Sequence, residues 1–201
     1  MTRRIAVVLA LVSAGSFACA LTGKSEPLSP RYFTAELPRA SSSTARAPHA
    51  AELRLGRVTA SGYLAERIVF RSEDQQLGFY EDRRWTERPE AFLRRALTQS
   101  LYEQAGLRRV VSGAAPTLDI ELTGFEEVRG AHPVARARAT MSLSDGRVVL
   151  SQQTLTVDLP IAQDAKGVAV EAAVRSMAQA MAQLVVQVSS HVVATLAAPS
   201  D

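Results

Sequence analysis

The chain has 201 residues, 47% hydrophobic and 21% charged, with one cysteine, three histidines and one tryptophan. Its 23 Lys and Arg and 20 Asp and Glu leave a net charge of +3, and two of the cations, Arg3 and Arg4, stand at the very start. The remainder is nearly neutral and offers no basic footprint for nucleic acid, and a lone cysteine excludes an internal disulfide, so an exported domain must be held by packing.

Arg3 and Arg4 precede an uncharged apolar run from Ile5 to Val12, and Ser16-Phe17-Ala18 then leads with mostly small residues to Cys19. This order predicts a secretory leader over residues 1–18. A thiol placed directly behind it, and nowhere else, reads as a lipid attachment point, where each buried methylene adds about 0.8 kcal/mol of membrane affinity. The apolar run is shorter than the ~20 residues of a bilayer span. The mature chain is therefore expected to be anchored to a membrane without crossing it. Ordinary cleavage near Ala18 or Ala20 is the alternative, because Ser16 stands where a lipobox usually carries Leu. Residues 19–30, with Lys24, Glu26, Pro27 and Pro30, read as the lipidated cysteine and a tether. Its stretch from Ala20 to Pro30 reaches at most about 40 Å when extended.

A single domain follows over residues 31–198. Arg31 to Leu37 alternates as a first strand, and Pro38 to Ala51, rich in Ser, Ala and Pro, reads as a loop. Leu53 to Val58 and Ile68 to Arg71 are further strands, with Gly56 and Gly62 marking a bulge or turn between them. Leu77 to Tyr80 is a short strand. Pro89 then opens a helix whose Phe92, Leu93, Ala96, Leu97, Leu101 and Ala105 recur at helical steps, closed by Gly106. Leu118, Ile120 and Leu122 alternate against Asp119 and Glu121, and Val134 to Ser144 and Arg147 to Leu159 flank the hairpin dipeptide Asp145-Gly146. From Val168 onward, Val170, Val174, Met177, Met181, Leu184, Val188 and His191 form one seam of a long closing helix. No later stretch reads as a membrane span. The sum is an α+β fold, a two-layer sandwich of a mostly antiparallel sheet with two main helices.

Catalytic and metal-binding patterns are not found in the sequence. His49, His132 and His191 lack metal-ligand spacing, so no metal is expected. There is no Gly-x-Ser-x-Gly elbow, phosphate-cradling loop or dinucleotide fingerprint, and no cofactor is expected. Glu73 and Asp74, and Glu126 and Glu127, are adjacent, so within a strand each pair points to opposite faces, which argues against shared acid/base work. A binding or assembly role is expected, not an enzyme.

Tyr32-Phe33-Thr-Ala-Glu-Leu37 behind a lipobox, Tyr63-Leu64 leading into Arg67-Ile-Val-Phe-Arg71, and Arg84-Trp85 before a helix form an ordered set. Leu118-Asp-Ile-Glu-Leu-Thr-Gly-Phe125, the Asp145-Gly146 hairpin and an Ala/Met-seamed terminal helix complete it. This set resembles the ABC-type transport auxiliary lipoproteins, the PqiC-like family, over nearly all of the mature chain. The resemblance implies a periplasmic accessory lipoprotein partnered with an MCE-domain protein and with ABC and permease components of an intermembrane lipid transport system. Ring-like homo-oligomers are compatible with the family. Ala20 after the cysteine, in place of Asp, points to the outer membrane. The alternative is a general envelope-assembly lipoprotein with no transport role. Cys19 is the candidate lipidation site, and Tyr63, Arg67, Arg71, Arg84 and Trp85 are candidate partner contacts. For Trp85 the favoured reading is a core plug between strand and helix, and for Tyr63, Arg67 and Arg71 the alternative is that Tyr63 caps the sheet and the arginines are solvated.

Overall fold

The computed structural model describes residues 29–35, 51–73, 75–146, 148–164 and 167–198. The leader, Cys19, the tether up to residue 28, and nearly all of the loop after Pro38, with His49, lie outside the described residues.

Strand β6 (Thr117–Val128) organises the sheet. On one side it pairs along its whole length, antiparallel, with β7 (Val134–Ser144), which in turn pairs antiparallel with β8 (Val149–Pro160). On the other side the first half of β6 receives β2 (Glu52–Ala60) and its last three residues receive β3 (Arg67–Arg71), both parallel. The long β4 (Leu77–Trp85) lies antiparallel to β3. Two short strands finish the edges: β1 (Arg31–Phe33) runs parallel to β4, and β5 (Arg108–Arg109) runs parallel to β2. A separate two-stranded ribbon joins β9 (Gln163–Asp164) to β10 (Gly167–Val168).

The fold is α+β, as expected, but the sheet is mixed. Four of its seven strand pairings are parallel, against three antiparallel ones. Parallel neighbours need a crossover, and helix α1 (Pro89–Thr98) lies in the connection that carries the chain from β2 and β3 to β6. Alternation along a strand reports which face is buried and is blind to the direction of its neighbour.

Burial follows that alternation. Leu118, Ile120, Leu122, Ala135, Ala137, Ala139, Met141 and Leu143 are buried, while the intervening positions carry Thr, Ser, Arg, Asp and Glu. A register shift between Leu122 and Gly124 puts Phe125 back into the core. A second bulge, between Leu55 and Val58, surrounds Gly56 as expected. A Cβ on Gly56 would lie 2.4 Å from Asp119 Oδ1, the atom that accepts the Arg57 amide at 2.6 Å.

Helix α1 buries Phe92, Leu93, Ala96 and Leu97 and then widens into a π turn (Gln99–Gln104), where a continuous α-helix was expected. That turn carries Tyr102, whose hydroxyl accepts the Leu55 amide at 2.9 Å and donates to the Leu53 carbonyl at 3.2 Å, pinning the helix end to β2. Gly106 follows at φ 73°, the left-handed geometry assigned to it.

Helix α2 (Val170–Ala197) closes the core. Its length and apolar composition would suffice for a bilayer span. In the fold, Val174, Met177, Met181, Leu184 and Val188 are buried, and the helix packs on β7 and β8. His191 Nε2 lies 2.7 Å from Ser151 Oγ, so its ring is satisfied at the helix end. The β7–β8 connection spans residues 145–148, longer than a two-residue turn. Gly146 has φ 89°, while the Asp145 carboxylate accepts the Val148 amide at 2.9 Å.

Candidate functional site

Two adjacent carboxylates near the end of β6 are the most deeply buried charges among the described residues: Glu126 is 3% exposed and Glu127 is 2% exposed. Strand geometry sends them to opposite faces, and each meets its own cation and phenol.

Arg71, the last residue of β3, grips Glu126 through Nε at 2.8 Å and Nη2 at 3.0 Å, a bidentate pair. Tyr63, in the turn that brings β2 back toward β3, donates its hydroxyl to the Thr123 carbonyl at 2.8 Å. Burial first, and then the Glu126 charge, raises the Tyr63 pKa above its ordinary 10.0. The hydrogen bond that Arg71 donates to Glu126 raises the Arg71 pKa. On the other face Glu127 accepts the Tyr80 hydroxyl and, at 3.1 Å, the Arg129 Nε. The Arg129 guanidinium lies 3.4 Å from the Phe70 ring centre and 5.0 Å from that of Tyr80. Burial raises the Tyr80 pKa, and the hydrogen bond to Glu127 adds to it. Burial opposes the charge of Arg129, but Tyr80 and Glu127 outweigh it and raise its pKa.

Beside this second network lies a cavity of about 310 Å³ bordered by Tyr80, Glu127, Arg129, Gly130, Pro133 and Gln163. A shallow depression of about 320 Å³ crosses the polar sheet face between Arg57, Thr59, Asp119, Glu121, Thr140 and Ser142. Among the described residues no group of three or more His, Cys, Asp or Glu could hold a metal ion.

The candidate contacts chosen from the sequence do not converge on one patch. Tyr63 and Arg71 meet around Glu126. Arg67 and Arg84 are register partners on β3 and β4. The Arg67 guanidinium lies over the Phe79 ring at 4.3 Å, while Arg84 Nη1 reaches the Tyr80 and Arg83 carbonyls at 3.3 Å. Trp85 turns inward. It is 1% exposed, stacked on Phe125 at 5.1 Å and edge-on to Phe92 at 6.0 Å. The plug reading is the one the fold adopts, and its ring has no face to offer a partner. Cys19 lies outside the described residues.

Sequence reasoning placed Glu126 and Glu127 on opposite faces but did not find Tyr80 or Arg129 as partners. The available signal was two acids side by side within a β6 segment that also holds Phe125 and Val128, a placement that demands charge compensation.

A family model described as ABC-type transport auxiliary lipoprotein component matches residues 34–189. Among solved structures, the fold is similar to a Xanthomonas campestris protein of the DUF330 family, with a TM-score of 0.70, 17% identity and coverage of 82% of this chain and 96% of that one. It is also similar to an uncharacterized protein with a TM-score of 0.64, 17% identity and 82% and 99% coverage. A Chlamydia trachomatis hypothetical protein follows at a TM-score of 0.53, 9% identity and 75% and 100% coverage. At these identities the likeness is one of fold. A search of the curated proteins finds no match.

Proposed function

Because this chain belongs to the ABC-type transport auxiliary lipoprotein component family, we propose that it is a lipid-anchored periplasmic accessory of an MCE/ABC-type intermembrane lipid transport system. The observation that carries this reading is the span of the family match, residues 34–189, which takes in β2 to β10 and most of α2.

In this reading Cys19 bears the lipid, and the chain sits on the periplasmic side of the outer membrane. The domain is an adaptor that breaks no bonds. Support for the adaptor role comes from the β6 carboxylates: each is already engaged by an arginine and is therefore poorly placed to trade protons with a substrate. The architecture reads as two layers. Both helices join the core beside the apolar sheet positions, and the alternate positions form a polar sheet face. Tyr63, Arg67, Arg71 and Arg84 remain the proposed partner contacts, while Trp85 is a core residue.

The test is affinity capture of the full chain from solubilised envelopes. Recovery of an MCE-domain protein with permease and ATPase components supports the proposal. Recovery of outer-membrane or pilus assembly factors alone overturns it in favour of a general envelope-assembly role.

A further inference from the structure

We infer that the cavity beside Glu127 and Arg129 is a binding site for a phosphodiester, the chemistry of a phospholipid head group or of a free glycerophosphodiester. The inference stands on this cavity alone and does not depend on the transport reading.

The use Arg129 makes of its donors carries the argument. Arg71 and Arg136 each give two nitrogens to their carboxylates: Nε and Nη2 reach Glu126 at 2.8 and 3.0 Å, and Asp158 at 2.8 and 2.7 Å. Arg129 gives Glu127 its Nε alone, at 3.1 Å. The Tyr80 hydroxyl is the other polar group beside this guanidinium, and among the described residues no carboxylate or carbonyl accepts from its Nη nitrogens. A guanidinium carries five N–H donors, so most of these remain unused on a side chain that borders a cavity of about 310 Å³.

The donors are fixed before a ligand arrives. Phe70 closes one face of the guanidinium at 3.4 Å, and the Nε bond to Glu127 sets its rotation. A ligand must therefore meet it in the plane, the approach a bidentate oxyanion takes. The ion pair also has a direction. Glu127 is 2% exposed and Arg129 38%, so the carboxylate lies inside and the positive end faces outward. Tyr80, Pro133 and Val168 add apolar wall, while Gln163 ties β9 to the Ala131 carbonyl at 3.2 Å. The volume is about ten times the share of liquid held by one water molecule. That is room for a head group and not for acyl chains.

Charge narrows the ligand further. Glu73 Oε1 accepts the Ala131 amide at 3.1 Å, and a Cβ on Gly130 would lie 2.7 Å from that oxygen, so this carboxylate stands against the cavity wall. The Arg83 guanidinium, 5.2 Å from the Tyr80 ring centre, offsets it. Such a balance admits a single negative charge. A phosphodiester carries one, whereas a monoester approaches two at neutral pH and meets Glu73 at greater cost.

The experiment measures affinity and amide hydrogen exchange on the full chain in maltoside micelles. Glycerophosphoglycerol is the free diester, and dihexanoyl phosphatidylglycerol carries the same group on a lipid. The expected result is saturable binding with slowed exchange at Gly130 and Ala131, and weaker binding of glycerol 3-phosphate. Binding of the lipid-borne probe alone makes a head group the ligand, and binding of the free diester as well makes the soluble ester sufficient. Arg129→Lys keeps a cation beside Glu127 but loses the fork, and Val168→Phe fills the cavity and leaves the polar network in place. Each should weaken binding at least about tenfold, while Arg57→Gln on the polar sheet face should bind as the parent does. Thermal melting establishes which variants are folded. No saturable binding of either diester, exchange slowed elsewhere and not at Gly130 and Ala131, tighter binding of the monoester, a folded Arg129→Lys or Val168→Phe chain that binds as the parent does, or an equal loss in Arg57→Gln would each overturn the inference.

Discussion

Glu126 and Arg71 show how a charge can be both costly and necessary in this fold. Burying a carboxylate is unfavourable unless a cation and hydrogen bonds compensate it, and Arg71 supplies both through two nitrogens. Arg71→Ala leaves Glu126 buried and unpaired, and we expect a loss of about 3 to 5 kcal/mol in denaturant unfolding. The double variant Arg71→Met with Glu126→Leu removes both charges and should recover most of that loss. If the double variant is as unstable as the single one, the pair is not the source of the effect. Tyr63, Tyr80 and Tyr102 give a pH prediction with a definite sign. Burial is the largest cause in each case, and it raises their pKa values from 10.0. Their contribution is fully present below pH 10 and is lost as pH rises through the higher folded values. Absorbance titration of tyrosinate should show these three phenols ionising above pH 10, and thermal stability should fall over the same range.

The bulge at Gly56 governs how β2 meets β6. There the register slips, Asp119 caps the Arg57 amide, and the Asp119 side chain occupies the space a Cβ would need. Gly56→Ala must displace that carboxylate from its amide and should cost roughly 1 to 3 kcal/mol. Amide exchange at Arg57 should rise with it, while unchanged exchange would show that Asp119 is not the cap. The same element shows where sequence reading succeeds and stops. The glycine announced a bulge, and Leu118, Ile120 and Leu122 announced their buried face, because period-two alternation is a local property. The parallel attachment of β2 and β3 was not legible, since alternation is the same whichever way a neighbour runs. The partners of the buried acids were hidden for a related reason: Arg71 lies 55 residues from Glu126, and Tyr80 lies 47 from Glu127. The π turn also escaped, because Leu97, Leu101 and Ala105 fit helical steps equally well with or without a widened turn.

At the scale of the whole molecule, the proposed tether meets the folded domain at Arg31. Arg31 at the start of β1 bonds Glu171 in the first turn of α2 at 2.8 Å, so the chain enters the domain beside the N-terminal end of that helix. Helix α2 then runs its 28 residues, about 42 Å, toward its far end, where His191 meets Ser151 beside the β7–β8 hairpin. On the proposed lipidation of Cys19, a tether that extends at most about 40 Å joins the lipid to the Arg31 end, and the hairpin with exposed Val148, Val149 and Leu150 lies toward the other end of α2. Everything in this arrangement depends on the thiol at Cys19. Metabolic labelling of cells expressing the full chain with radiolabelled palmitate tests it most directly. Label should enter the chain and be lost in Cys19→Ser, with the variant released from the membrane fraction. A chain that takes up no label, or a Cys19→Ser variant that keeps both label and membrane association, would contradict the account.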